Sequence, residues 1–106
     1  MAVLQSNDQE IKNIIQQHSK VLIKFYADWC GTCKLMAPKF NRIAEEQAYS
    51  DITFVDINAE QNPEIRKIVG VSNLPFFAAF KNGQLIEADF SSKEEYVRQL
   101  AEKLNQ

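Results

Sequence analysis

Residues 27–34 read ADWCGTCK and hold the only tryptophan and the only two cysteines of the chain. The stretch follows directly on VLIKFYA (21–27), a nearly continuous apolar run of the kind found in a central strand covered on both faces. Beyond it, Met36, Phe40, Ile43 and Ala44 recur at helical spacing through about residue 47. A strand therefore hands over to a helix at the cysteines. Cys30 falls near the helix N-terminus, where unpaired N–H groups and the helix dipole favour an anion, and Cys33 lies one turn on.

A thiolate in that position is stabilised, which makes Cys30 nucleophilic near neutral pH. The pattern suits thiol–disulfide exchange: Cys30 attacks a substrate disulfide, and Cys33 then attacks the Cys30 sulfur and releases the reduced substrate. So short a ring removes little chain entropy, so it reads as reactive rather than as a staple. A structural disulfide, a pair of inert buried thiols and a zinc site are the competing readings. Zinc would need two further ligands, and only the single histidine, His18, and carboxylates are at hand, so no metal is expected.

Outward from the cysteines the chain alternates strand-like and helix-like segments. On the N-terminal side, AVLQ (2–5) reads as a short strand and Ser6 with Gln9 as a capping box. Ile11, Ile14, Ile15 and His18 follow on one helical face, where His18 packs or meets the helix dipole. On the C-terminal side, Pro38 interrupts the helix and should kink it. ITFVDI (52–57) is a second β-type run, and NPEIRKIVG reads as a helix with Asn62 as N-cap, Pro63 at N1 and Gly70 as the stop. FFAAFK (76–81), Asn82-Gly83 and QLIEADF (84–90) form a hairpin. Ser92 with Glu95 opens a last helix carrying Val97, Leu100, Ala101 and Leu104 on one face. The order β-α-β-α-β-α-β-β-α predicts an α/β fold, a mixed sheet with helices on both faces.

The 106 residues suffice for one domain, 1–106, and no linker or repeat divides them. A net charge of -2 gives none of the basic excess that marks nucleic-acid or anionic-membrane binding. The longest apolar runs fall far short of the ~20 residues that span a bilayer, and MAVLQSNDQE has no signal-peptide pattern. With two cysteines as sparse stapling, a cytoplasmic setting is expected.

Over nearly its whole length the chain resembles the thioredoxin family. The family's W-C-G-P-C-K stands here as Trp29, Cys30, Gly31, Thr32, Cys33 and Lys34. The segments FYAD, MAP, DINAEQNP, GVSNLP and FKNG fall in family order around it. The resemblance implies a thioredoxin fold, a five-strand mixed sheet flanked by four helices. It implies that Cys30 is an exposed nucleophile and Cys33 a buried resolving thiol. Pro75 would follow a cis peptide bond and face the disulfide, and the loop of Asn73, Leu74 and Pro75 would pair with an extended substrate. Read without the resemblance, Pro75 would only mark a turn. Trp29 reads as a substrate-contact surface or as a half-buried core aromatic. The implied activity is reduction of protein disulfides by a monomer with no bound cofactor. Electrons would come from NADPH through a thioredoxin reductase, in the service of redox homeostasis. A thioredoxin-fold binding module and a more oxidising exchanger are the alternatives.

The chain also departs from its relatives. Within the Gly31-Thr32 dipeptide, a main tuner of redox poise in the family, Thr32 replaces the usual proline, so an altered potential is expected. Lys24 stands where relatives usually carry a buried aspartate beneath the resolving cysteine. Asp56, in the neighbouring strand, occupies a position that is lysine in some relatives. The expectation is a Lys24–Asp56 pair with exchanged signs beneath Cys33, Asp56 accepting a proton; the bland alternative is a lysine that snorkels to the sheet edge. Asn73, Phe76 and Ser91 replace the glycine, threonine and glycine common around the groove and would narrow or reshape it.

Overall fold

The computed structural model describes residues 2–106. Five strands are present: β1 (Val3–Gln5), β2 (Lys20–Tyr26), β3 (Thr53–Asn58), β4 (Phe76–Lys81) and β5 (Gln84–Phe90). Four α-helices accompany them: α1 (Asp8–Gln17), α2 (Gly31–Ala44), α3 (Pro63–Val69) and α4 (Glu94–Leu104). The sheet order is β1-β3-β2-β4-β5. β1 and β2 run parallel to β3, whereas β4 runs antiparallel to β2 and to β5. The mixed sheet expected from the segment order is thus formed, with β2 and β3 at its middle.

Alternation along the strands separates two cores. Val21, Ile23 and Phe25 of β2 face one way with Val55 and Ile57 of β3, and Ile11, Ile15, Ile65 and Val69 from α1 and α3 cover them. Leu22, Phe54, Phe77 and Ala79 face the other way, under Met36, Phe40 and Ile43 of α2 and Val97, Leu100 and Leu104 of α4. The same alternation assigns Lys24 and Asp56 to the α2 side, and the two stand directly opposite in the β2–β3 register. That side is packed around Phe40, whose ring meets Phe54 at 5.4 Å and Phe77 at 5.9 Å between centroids.

Several boundaries differ from expectation, each for a local reason. The cap of α1 is Asn7, whose side chain accepts from the Glu10 N–H, because the Ser6 N–H is still bonded to the Asp56 carbonyl in the sheet. Ser6 is buried and forms no capping box with Gln9. The last helix is capped at Lys93 rather than Ser92, since the Ser91 hydroxyl accepts from the Lys93 N–H and carries the chain one residue further. α2 stops at Ala44, where Glu45 and Glu46 donate three residues back and tighten the final turn. β2 begins at Lys20 and ends at Tyr26, one residue earlier at each end than the apolar run. His18 is the C-cap of α1 and exposed, so it packs against nothing in the core. Gly70 stops α3 with φ 81°, as expected, and Asn82 and Gly83 both take positive φ in the hairpin turn.

Asn62 does precede Pro63 as the cap of α3, but its side chain makes no capping bond there. The carboxylate of Asp8 supplies one instead, accepting from the Glu64 and Ile65 N–H groups, while the Asp8 N–H donates to Asn62 Oδ1 at 2.8 Å. The starts of α1 and α3 are thus locked to each other.

Phe40→Ala is expected to destabilise the fold by about 3–5 kcal/mol in urea unfolding, because it opens a cavity between β2, β3 and β4 that the sheet cannot close. A loss below about 1 kcal/mol would show that this core is not the tight one described.

Candidate active site

Strand β2 ends at Tyr26, and the Ala27 carbonyl accepts from the Cys30 N–H at 3.2 Å, a turn that swings the chain into α2. Cys30 is the N-cap of α2, with extended backbone (φ -84°, ψ 108°). Its sulfur takes the place of the usual capping oxygen and accepts from the Cys33 N–H at 3.2 Å. The Thr32 hydroxyl oxygen lies 3.4 Å from the same sulfur. Cys30 and Cys33 are joined as a disulfide with Cα atoms 5.2 Å apart.

Both cysteines are buried, Cys30 to 4% and Cys33 to 3% exposure, in a small cluster with Ala27, Tyr26 and Leu74. The expected exposed nucleophile is therefore not exposed in the disulfide state. Capping turns the sulfur inward toward the helix backbone, and it is capping geometry rather than exposure that distinguishes the two thiols. Gly31, first residue of α2, is open, and a side chain there would meet nothing within 4 Å.

Trp29 lies at the surface with 68% of its area exposed, which excludes the core-aromatic reading. Its indole N–H donates to a Glu60 carboxylate oxygen at 2.6 Å. Glu60 is itself placed by the turn after β3, where its N–H donates to Asn58 Oδ1. Glu60 escaped sequence reasoning because its contact with Trp29 spans 31 residues. The Leu74–Pro75 bond is cis, Pro75 is buried, and the Pro75 carbonyl accepts from the Ser91 N–H. Leu74 packs on the cysteine cluster, while Asn73 is exposed and turns its side-chain oxygen back to the Leu74 N–H.

Beneath Cys33 a cleft of about 230 Å³ is lined by Lys24, Asp56, Tyr26, Gln5 and Asp28 among others. Lys24 is 2% exposed and does not snorkel. Its ammonium stands 3.4 Å from Asp56 Oδ1, and 5.3 Å and 5.8 Å from the ring centres of Phe40 and Tyr26. The pair is coulombic rather than a directed bond, since Asp56 Oδ1 is buried without a hydrogen-bond partner. Burial pushes the Asp56 carboxyl above its ordinary value, and the charge of Lys24 offsets only part of that. Register and strand parity bring the expected pair together; Gln5, whose amide donates to the Tyr26 hydroxyl at 2.8 Å, is an additional wall that no motif signalled.

A family model described as Thioredoxin matches residues 2–106. The chain belongs to the thioredoxin family. It is 42% identical over 81 residues to "Thioredoxin-3, mitochondrial" of Saccharomyces cerevisiae, a match covering 76% of this chain and 62% of that protein. It is likewise 42% identical over 82 residues to "Thioredoxin-1" of Schizosaccharomyces pombe, covering 77% and 78% of the two chains. The crystal structure of oxidised mitochondrial thioredoxin 3 from Saccharomyces cerevisiae superposes with a TM-score of 0.87 at 34% identity, over 96% of this chain and 95% of that one. With its paired cysteines at a helix start, this thioredoxin-fold chain is a thiol–disulfide oxidoreductase, and the binding-module alternative is not favoured.

The raised Asp56 carboxyl has a signed consequence. Its folded form binds the proton more tightly than the unfolded chain does, so its contribution to stability is greatest below the unfolded value of about 3.9. The contribution declines as pH rises through the folded value and is level above it. Denaturant unfolding of wild type and Asp56→Asn from pH 4 to 8 is expected to show that decline in their difference. Parallel profiles would contradict the assigned shift.

Proposed function

We propose that the chain is a cytoplasmic, monomeric, single-domain protein-disulfide reductase in which Cys30 attacks and Cys33 resolves. The observation that carries this reading is the Cys30 sulfur seated as the N-cap of α2, within bonding distance of Cys33. In the reduced protein the Cys30 thiolate forms a bond to one sulfur of a substrate disulfide and expels the other as a thiolate. The Cys33 thiol then loses its proton and attacks the Cys30 sulfur. That step closes the Cys30–Cys33 bond and releases the second substrate sulfur, so two electrons pass to the substrate. NADPH, through a thioredoxin reductase, returns the pair to the dithiol.

Trp29, Asn73, Leu74 and Pro75 flank the cysteines and form the surface against which an extended substrate segment lies. The exposed indole, held by Glu60, and the partly buried Leu74 supply apolar contact beside the reacting sulfur. Asn73 and Ser91 give this groove bulkier walls than usual and narrow its choice of substrates; Phe76, expected beside them, is instead buried in the core against Phe25 because strand alternation turns it away from the groove. No helix among the described residues is long and apolar enough to cross a membrane, which is compatible with a cytoplasmic site of action.

Asp56 is the acceptor of the Cys33 proton, directly or through water, because burial makes its carboxylate a stronger base than an exposed one. Lys24 keeps that carboxylate available and favours thiolate at Cys33.

In a dithiothreitol-driven insulin-reduction assay, Cys30→Ser is expected to abolish turnover, and Cys33→Ser to accumulate a mixed disulfide visible by mass spectrometry. Asp56→Asn is expected to slow release from that mixed disulfide by roughly 10- to 100-fold at pH 7 while leaving its formation unchanged. Turnover retained by Cys30→Ser would overturn the reading, and unaltered release by Asp56→Asn would remove Asp56 from it.

A further inference from the structure

The buried pair carries its lysine on the central strand and its carboxylate on β3, and only β1 stands between β3 and the open edge of the sheet. β1 is three residues long, and its last residue, Gln5, is the one in register with Asp56. The Ser6 N–H donates to the Asp56 carbonyl at 2.9 Å and holds that register. A carboxylate so near an edge needs a cover to stay dry.

Gln5 is placed to be that cover. Neighbouring strands lie about 4.8 Å apart, so β1 and β2 are separated by about 10 Å. The Gln5 amide nonetheless donates to the Tyr26 hydroxyl of β2 at 2.8 Å. The two side chains therefore meet across β3, on the face that Asp56 occupies. A second recess, of about 350 Å³, opens toward the end of α2 at Asn41 and Glu45. Gln5 and Asp56 line both this recess and the cleft that Cys33 lines. Gln5 thus stands where the two spaces approach the carboxylate. It shelters Asp56 without solvating it, because the buried Oδ1 accepts no hydrogen bond from Gln5 or any other donor among the described residues.

We propose that Gln5 is a positioning residue for proton transfer: anchored on Tyr26, its side chain roofs Asp56 and keeps that carboxylate dry. The inference deepens the reading above and rests on Asp56 being the acceptor of the Cys33 proton. In that step the proton passes from the Cys33 sulfur to Asp56. The electron pair left on Cys33 forms the bond to the Cys30 sulfur, and the substrate sulfur departs as a thiolate. A carboxylate shielded from water holds a proton more tightly than a wet one, because burial penalises the charged form. Burial is the main reason that the Asp56 carboxyl stands above its ordinary value, and its side chain is only 20% exposed despite the nearby edge. Removing the roof joins the two spaces at the carboxylate, hydrates it and weakens it as a base.

The test reads the carboxyl itself. The Asp56 side-chain carboxyl-carbon resonance is titrated by NMR in the disulfide form, in which neither cysteine titrates. Gln5→Ala removes the roof, and Tyr26→Phe keeps the ring but removes the anchor. Both leave in place the other charged groups around Asp56: Lys24 on β2, Asp28 and Lys34 around the start of α2, and Glu45 at its end. Each substitution is expected to lower the Asp56 midpoint by about one pH unit, toward the ordinary value of about 3.9. Because the two act through one bond, the double substitution is expected to lower it no further. Release of the substrate from the mixed disulfide of Gln5→Ala is expected to slow about threefold at pH 7, as a base weakened tenfold gives when half of its strength is expressed in the rate.

An Asp56 midpoint unmoved by Gln5→Ala would overturn the proposal. So would a midpoint unmoved by Tyr26→Phe, since the roof would then have no anchor. A lowered midpoint with unaltered release would instead overturn Asp56 as the proton acceptor, and with it the part that its shelter plays in the reaction.

Discussion

The arrangement depends on a sulfur doing the work of a helix cap. Every helix begins with N–H groups that have no intrahelical partner, and a capping oxygen ordinarily satisfies one of them. Here the turn after β2 places Cys30 in that position, and its sulfur accepts from the Cys33 N–H. The contact is modest while the sulfur is neutral and grows when it is charged. In the proposed mechanism the bond that starts α2 therefore also stabilises the attacking thiolate. Because it comes from the backbone of Cys33, it also holds the second thiol within reach of the first.

The rest of the molecule fixes the place where that cap occurs. β2 is the central strand in sheet order and is covered on both faces, so packing on both sides fixes the direction in which its end meets α2. Phe40 on α2 packs among Phe54 and Phe77 on the sheet, and the loop of Leu74 and Pro75 closes over the cysteines from β4. One interior charge is retained within this apolar frame. Lys24 sits in β2 with almost no exposure, opposed by Asp56 and bounded by aromatic rings. An ion pair so placed adds little net stability, because desolvating both groups offsets their attraction. Its position in the cleft that Cys33 also lines is what the proposed proton transfer draws on.

Much of this was legible in the residues. Periodicity found all five strands and four helices, and the Asn82-Gly83 turn and Gly70 stop require backbone angles that few residues adopt. The Lys24–Asp56 pair could be read because parallel register and strand parity are rules of geometry. Caps were read less well. Asn7 replaced Ser6 and Lys93 replaced Ser92, since which residue leaves the sheet first depends on hydrogen bonds made to distant strands. The exchange of caps between Asp8 and Asn62 and the clasp of Trp29 by Glu60 lie at sequence separations of 54 and 31 residues, beyond any local pattern. The burial of Cys30 was missed for a related reason. Position at a helix start indicates the charge a sulfur prefers, but not how far neighbouring loops enclose it.

The most direct measurement is the rate at which iodoacetamide alkylates the reduced protein across pH, with the modified cysteine located by peptide mass spectrometry. A capped thiolate gives modification at Cys30 alone, with a midpoint at least one pH unit below the value of about 8.5 for a free thiol. Alkylation at Cys33 first, or at both sulfurs with a midpoint near 8.5, would contradict the central claim that the start of α2 holds Cys30 as an anion.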